Sequence, residues 1–491
     1  MKLRSMKRKL GDLTIQLKVN IDGIQLFKSS TASLWPILCS FNSFSPFVVS
    51  IYYGLKKPDP IEEYLSDFLN ELNELLQNGV IFNGKKILVN MYAFVCDAPA
   101  RQHLKCIKSH TGYFCCKRCI IKGYRSNNQI VYYAQEESRK RLDVHFNNFK
   151  YKNGDEPIND GHQLKLSPLA GLISCINDFP LDYMHLVCLG VMRRMFYFWK
   201  KGSKTSLKCK IKLSQFIRLS ESLEKFSNAM PSEFARKPRG TIYFEKWKAT
   251  EFRQFLLYTG PVVLKSSVDK AYYSHFLCLS VAMTILLNGC VSFRNKYLTY
   301  AKNLLKHFVV ESKKLYTDLF ISYNVHNLIH LVSDSEYFGV NLDEISAFEF
   351  ENYLQVLKRR VRSGYNPIAQ IAKRVSEAET FEPDTFSTKT LQKIGLKAPD
   401  NVFLLDRKRY VFVCHIQEND NFLCSSVTFD VCENFYPEPF NSKLCFVSFC
   451  KLNLISKDKK VIVHKDQLIS KVCCLPYKDG YVLFPMLHSS G

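Results

Sequence analysis

The sequence predicts an α/β core that is interrupted by an α-helical insertion and followed by a small C-terminal β domain. Three observations carry this. From Ile15 to Ile21 apolar and polar residues alternate, the period-two pattern of a strand with one buried face. Lys86–Cys96 is a nearly continuous apolar run, as a well-buried strand is. Between them, Ile61, Tyr64, Leu65, Phe68, Leu69, Leu72, Leu75 and Leu76 recur at helical spacing over Pro60–Gln77, and Gly79 ends the helix.

Length and charge bound the function. A chain of 491 residues can bury a large core in two or three domains. Lys and Arg number 68 against 45 Asp and Glu, a formal net charge of +23, which implies a polyanionic partner. DNA or RNA is the first candidate. A membrane is disfavoured, because the longest apolar run, Phe276–Leu287, is too short to span one. The first residues are basic with no apolar segment behind them, so no secretory signal is expected. The 18 cysteines then read as reduced thiols, apart from any that bind metal. Lys2, Arg4, Lys7, Arg8 and Lys9 form a cluster suited to nuclear import, or simply to a solvated tail. A nuclear location is the expectation.

Taken in order, 1–14 is a basic tail and 15–125 the first part of the core. Asp22 stands at the end of the first strand, before Gly23. Such a pair forms a turn, or it places a carboxylate where it can hold a metal ion or accept a proton. Ser33–Phe41 and Pro46–Tyr53 read as further strands, and the fourth strand ends in Cys96-Asp97. The order strand, strand, strand, helix, strand, with one Asp at the first strand and another just past the fourth, is the layout of a ribonuclease-H-like core. Two such acids can hold two divalent ions about 3.5–4 Å apart. A third acid comes from a later helix.

Cys116 and Cys119 have the C-x2-C spacing of a metal knuckle. In a helical stretch, His326 and His330 fall at i and i+4 on one face. Together the four would complete a tetrahedral Zn²⁺ site, whereas either histidine could equally be a satisfied core residue. Residues 126–175 are polar and aperiodic and read as a surface connection. A mainly helical insertion is expected over 176–343. Near its start Asp182 and His185 lie one turn apart, able to share a hydrogen bond, a metal or a place beside the active site; Asp182 could also cap its helix. Arg236, Arg239, Trp247, Lys248 and Arg253 mix cations with an aromatic that could stack on a base or simply be core. The segment 344–390 contains the final core helix, with Glu351 on the same side as Lys358 and Arg362. Strands at Val402–Leu405, Tyr410–Ile416, Leu444–Phe449, Val461–Val463 and Tyr481–Phe484 make 391–491 a β domain.

Six blocks occur in a family's order: Asn20–Ser30, Cys96–Arg101, the Cys116/Cys119 pair, Pro180–Leu186, Trp247–Arg253 and Ala347–Tyr353. Together, over about residues 15 to 375, they resemble the catalytic region of CACTA (En/Spm)-type DDE transposases and the related transposase-domain proteins. The resemblance implies a DDE triad of Asp22, Asp97 and Glu351, with Glu349 close by. It also implies a D-x2-H motif at Asp182 and His185, and a helical insertion between the second Asp and the Glu. The expected cofactors are Mg²⁺ or Mn²⁺ at the triad and a structural Zn²⁺. DNA is the expected partner, with Lys28, Arg101, Lys358, Arg359 and Arg362 joining the basic residues named above; self-association stays open. Only a short tail precedes the first strand, so autonomous recognition of transposon ends is not expected. The alternative is a domesticated relative that binds DNA or protein without cutting; a zinc-stabilised scaffold unrelated to nucleic acid is a third reading.

Overall fold

The computed structural model describes residues 14–28, 30–42, 44–134, 138–155, 158–381, 393–406, 408–455 and 460–487. The basic cluster from Lys2 to Lys9 lies outside them. The protein is mixed α/β, and among the described residues no helix is long and apolar enough to cross a membrane. The described chain divides into two compact units. One comprises 14–132, 138–185 and 344–381; the other comprises 133–134, 186–343 and 393–487.

The first unit is built on β1 (Thr14–Ile21), β2 (Ile24–Gln25), β3 (Ser33–Phe41), β4 (Phe47–Gly54), α1 (Ile61–Asn78), β5 (Val80–Phe82) and β6 (Lys85–Phe94). These strands form one sheet in the order β2-β3-β1-β6-β5, with β4 also on β3. β3 runs antiparallel to both β1 and β4, whereas β1 and β6 are parallel, Ile15 opposite Val89 and Val19 opposite Phe94. Parallel neighbours need a long crossover, here the segment that includes α1. That helix buries Ile61, Leu65, Phe68 and Leu72 in a core shared with Val19, Ile37, Val89 and Phe94. Because β1 and β6 are adjacent and parallel, their carboxyl ends open on the same edge of the sheet. The Val95 N–H still donates to the Val19 carbonyl at 2.8 Å, so the chains part just before Asp22 and Asp97.

Residues 126–175 are not a bare surface connection, and the expectation is corrected. They carry a short hairpin (Tyr124–Ser126 with Gln129–Val131) and a helical turn at Asp143–Asn147. Phe146, Tyr151, Leu169, Ile173 and Cys175 are buried in the core of the sheet unit. A buried Arg141–Asp160 ion pair of 2.6 Å braces the segment. The anchors are too widely spaced to produce a period, so a polar average conceals them.

The second unit is helical from Leu186 to Asp343 and ends in an eight-stranded antiparallel sheet. Its longest helix, Val291–Tyr316, pairs with Lys270–Leu286, which is buried almost all round. The terminal sheet includes strands at Asn421–Thr428 and Ser470–Tyr477 that the pattern did not separate, while Ser442–Cys445 is a 3₁₀ turn ahead of the strand Ser448–Lys451. This sheet is not a free-standing domain, because it belongs to the same compact unit as the helices. The fully buried Lys471 ammonium, on a terminal strand, meets Glu233 of the helical part at 2.6 Å and Asp400 at 2.9 Å. Lys471→Ala leaves two carboxylates without their cation and should cost about 3–5 kcal/mol. Urea unfolding at pH 7 measures this, and a loss below about 1 kcal/mol would show the triad to be dispensable.

Candidate metal and catalytic site

Asp22 leaves β1 with its Oδ1 accepting from the Gly23 N–H at 2.7 Å. The glycine is required by packing: a Cβ there would lie 2.5 Å from the Trp35 ring. Asp97 follows β6 and caps the helix α2 (Ala98–Leu104), its Oδ1 accepting from the Ala100 N–H at 2.7 Å. Of the charges acting on Asp22, that of Asp97 is the largest, followed by Glu351.

Glu351 comes from the helix Phe348–Arg360, which buries Phe350, Leu354 and Leu357. The neighbouring Glu349 is committed elsewhere, to Lys18 on β1 at 2.5 Å and Ser40 on β3 at 3.1 Å. The helix therefore sends Glu349 onto the sheet and Glu351 toward Asp22. The Asp22 and Glu351 carboxyls are close enough to interact by hydrogen bonding.

The fourth participant is His185, at the start of a π-helix, Met184–Met192, a geometry frequent at functional sites. Its Nδ1 is 2.6 Å from Asp182 Oδ2, and its Nε2 is 3.7 Å from Glu351 Oε1. Asp22, His185 and Glu351 each offer one ligand atom, and all three atoms lie within 4.8 Å of one another. Ligands on one Mg²⁺-sized ion at about 2.1 Å stand about 3–4 Å apart, so small rotamer adjustments suffice. Sequence reasoning placed His185 beside the site; its ring faces the acids directly.

Asp182 organises this arrangement. It is almost fully buried, and its carboxylate accepts from the backbone N–H groups of Met184 and His185 at 3.2 Å each. It also accepts from the Ala347 N–H at 3.0 Å, 165 positions away and just ahead of the Glu351 helix. One carboxylate thus orients the imidazole and holds the helix carrying the third acid.

The electrostatics are those of crowded, poorly hydrated acids beside one imidazole. Burial first, then the charges of Asp97 and Glu351, lift the Asp22 carboxyl to about 8. Burial also raises Glu351, with Asp182 and Asp97 adding to it against the charge of His185. Burial opposes charge on His185, but the hydrogen bond and charge of Asp182, with help from Glu351 and Asp97, carry it to about 9. Asp182 itself stays low: burial is outweighed by its His185 and backbone hydrogen bonds.

The thiols of Cys116 and Cys119, both buried, are 3.5 Å apart. Two sulfurs on a tetrahedral zinc at about 2.3 Å stand roughly 3.8 Å apart, so this pair is spaced for one ion. His326 and His330 lie where an α-helical turn (Tyr323–Asn327) passes into a 3₁₀ turn (Leu328–His330), their ring centroids 5.2 Å apart. Each pair offers two metal-ligating side chains; they belong to different units.

The expected DNA contacts divide. Trp247 is only 3% exposed and packs among Phe196, Phe252 and Phe255, so it is core and cannot stack on a base. Arg101 and Arg253 are also internal, donating to the Pro180 carbonyl and to Asp343 respectively. Arg239 is held by Glu251 through two hydrogen bonds, at 2.5 and 2.8 Å. Lys28, Arg359 and Arg362 on the first unit, and Arg236 and Lys248 on the second, are exposed. Lys358 is half-buried, its ammonium donating to the Gln25 carbonyl at 2.6 Å.

Comparison with protein-family models finds no matching family, and comparison with curated proteins finds no match.

Proposed function

We propose that the protein is a transposase-derived DNA-binding protein whose first unit carries a ribonuclease-H-like, DDE-type nuclease and strand-transfer centre. The observation that supports this most is the meeting of Asp22, Glu351 and His185 at the carboxyl edge of two adjacent parallel strands, with the charge of Asp97 acting on Asp22. The sheet order, three antiparallel strands with a fourth parallel to the first, agrees with such a core. Carboxylates this close repel one another, and a divalent cation relieves that repulsion.

Asp22, Asp97 and Glu351 would hold Mg²⁺ or Mn²⁺. When bound, a metal pair activates an attacking oxygen and stabilises the leaving oxygen of a phosphodiester. The chain's own groups do the rest. Asp182 takes the Nδ1–H of His185 and turns Nε2 toward the acids, the orientation that makes a histidine a ligand or a partner to a phosphate oxygen. In the metal-free protein at neutral pH the imidazolium offsets part of the acidic charge. Lys28, Arg359 and Arg362 supply cations on the same unit, so DNA affinity should fall steeply with salt. The cysteine pair, spaced for one ion, is assigned to a structural Zn²⁺.

The test is incubation of the full chain with labelled duplex DNA and Mg²⁺ or Mn²⁺, beside Asp97→Ala. Metal-dependent cleavage by the parent, reduced by about 10³-fold or more in the variant, is the expected result. Salt-sensitive binding by both, with cleavage by neither, would instead identify a DNA-binding relative that no longer cuts.

A further inference from the structure

Tyr365 is 86% exposed, the most exposed large apolar side chain among the described residues. A tyrosine in solvent is ordinary, since its hydroxyl makes exposure cheap. Its setting is not. The loop Val361–Asn366 joins the helix of Glu351 to the next helix, Pro367–Phe381, and the single side chain of Gln370 holds it in place. Gln370 Oε1 accepts from the backbone N–H groups of Arg362 at 2.9 Å and Ser363 at 3.4 Å. Its Nε2 donates to the carbonyls of Ser363 at 3.1 Å and Tyr365 at 2.6 Å, and to Ser363 Oγ at 3.1 Å. An aromatic ring is therefore presented to water on a loop whose backbone is pinned, which lowers the ordering cost of a contact.

The surroundings define the partner. Exposed Arg359 precedes the loop and exposed Arg362 lies within it. A Cβ on Gly364 would come within 4.0 Å of the Phe27 ring, and Lys358 reaches the Gln25 carbonyl, so the loop adjoins the segment that follows Asp22. Arg360 is nine positions after Glu351, about 14 Å along a helix, or roughly four stacked nucleotides at about 3.4 Å each. Cations for phosphates around one exposed ring suit a single unpaired base.

The geometry points to Tyr365 as a stacking platform for an unpaired nucleobase a few nucleotides from the strand position held at Asp22 and Glu351. This rests on the DNA reading above. It assigns the Val361–Asn366 loop to the single-stranded part of the substrate rather than to the duplex.

The test uses the full chain and two fluorescent probes, a fully paired duplex and the same duplex with a five-nucleotide overhang containing 2-aminopurine. The parent should favour the overhang and quench the 2-aminopurine. Tyr365→Ala should weaken overhang binding by about tenfold, within what one base–aromatic stack contributes, with less than a twofold change on the paired duplex. Tyr365→Phe should behave as the parent, and Gln370→Ala should lose part of the preference. Equal loss on both probes, or no loss on either, overturns the platform while leaving DNA binding intact. A parent that binds neither probe overturns both the platform and the DNA reading.

Discussion

Asp22→Asn should abolish metal-dependent cleavage, by about 10³-fold or more, and at the same time make the metal-free protein harder to unfold. The two effects have one cause. Asp22 sits among Asp97 and Glu351 in a poorly hydrated corner, and its carboxyl keeps a proton up to about 8. Above an unfolded value near 3.8 the unfolded chain releases that proton while the folded protein retains it, so folding stability declines as pH rises from about 4 through 8. His185 acts in the same direction: its contribution is complete below 6.5 and is lost as pH rises through about 9. An amide at position 22 removes the first of these terms. In thermal melts at pH 8 to 9 the variant should exceed the parent by several degrees without metal. Mn²⁺ should then raise the melting temperature of the parent and not of the variant. In the parent, metal must displace the Asp22 proton, so apparent affinity should climb as pH is raised from 6 to 8. Equal metal-induced shifts in both proteins would remove Asp22 from the site.

Replacing Cys116 and Cys119 by serine should strip the protein of stoichiometric zinc and lower its stability by several kcal/mol, the second large effect expected. Structural zinc contributes about 10–16 kcal/mol of apparent binding free energy in small zinc-finger peptides at neutral pH, and only part of that is lost where a packed core remains. Without a metal, the hydrogen bond to the Cys116 thiol, and then burial, push Cys119 far above the ordinary thiol range. Binding therefore must expel thiol protons, and zinc uptake should release acid. Elemental analysis of the purified chain gives the stoichiometry. One zinc in the parent and none in the double serine variant is the expected outcome. A parent without zinc would return the cysteines to the core.

How far the sequence could be read depended on whether a signal was local. Asp22 and Asp97 were visible as candidates because each ends a strand that has its own pattern, alternating in one case and continuously apolar in the other. The choice of Glu351 over Glu349 rested on the resemblance and the helix face, since the partners that engage Glu349, Lys18 and Ser40, lie more than 300 positions away. Trp247 misled for the same reason. Its flanking cations look free in the chain, but Arg239 is taken by Glu251 and Arg253 by Asp343. The reach of Asp182 to Ala347 left no local trace, and neither did the pinning of Tyr365 by a glutamine five positions on.

Asp182 also bears on how the chain can change over time. By joining the turn before Leu186 to the backbone just after Glu344, it fastens the exit and re-entry of a long excursion to one spot. An excursion closed at its base can lengthen cheaply, since doubling a flexible loop adds only about 0.6 kcal/mol of closure entropy. Loops within the intervening segment are thus free to lengthen, so long as that single carboxylate and its three backbone donors survive and the helices keep their packing with the terminal sheet.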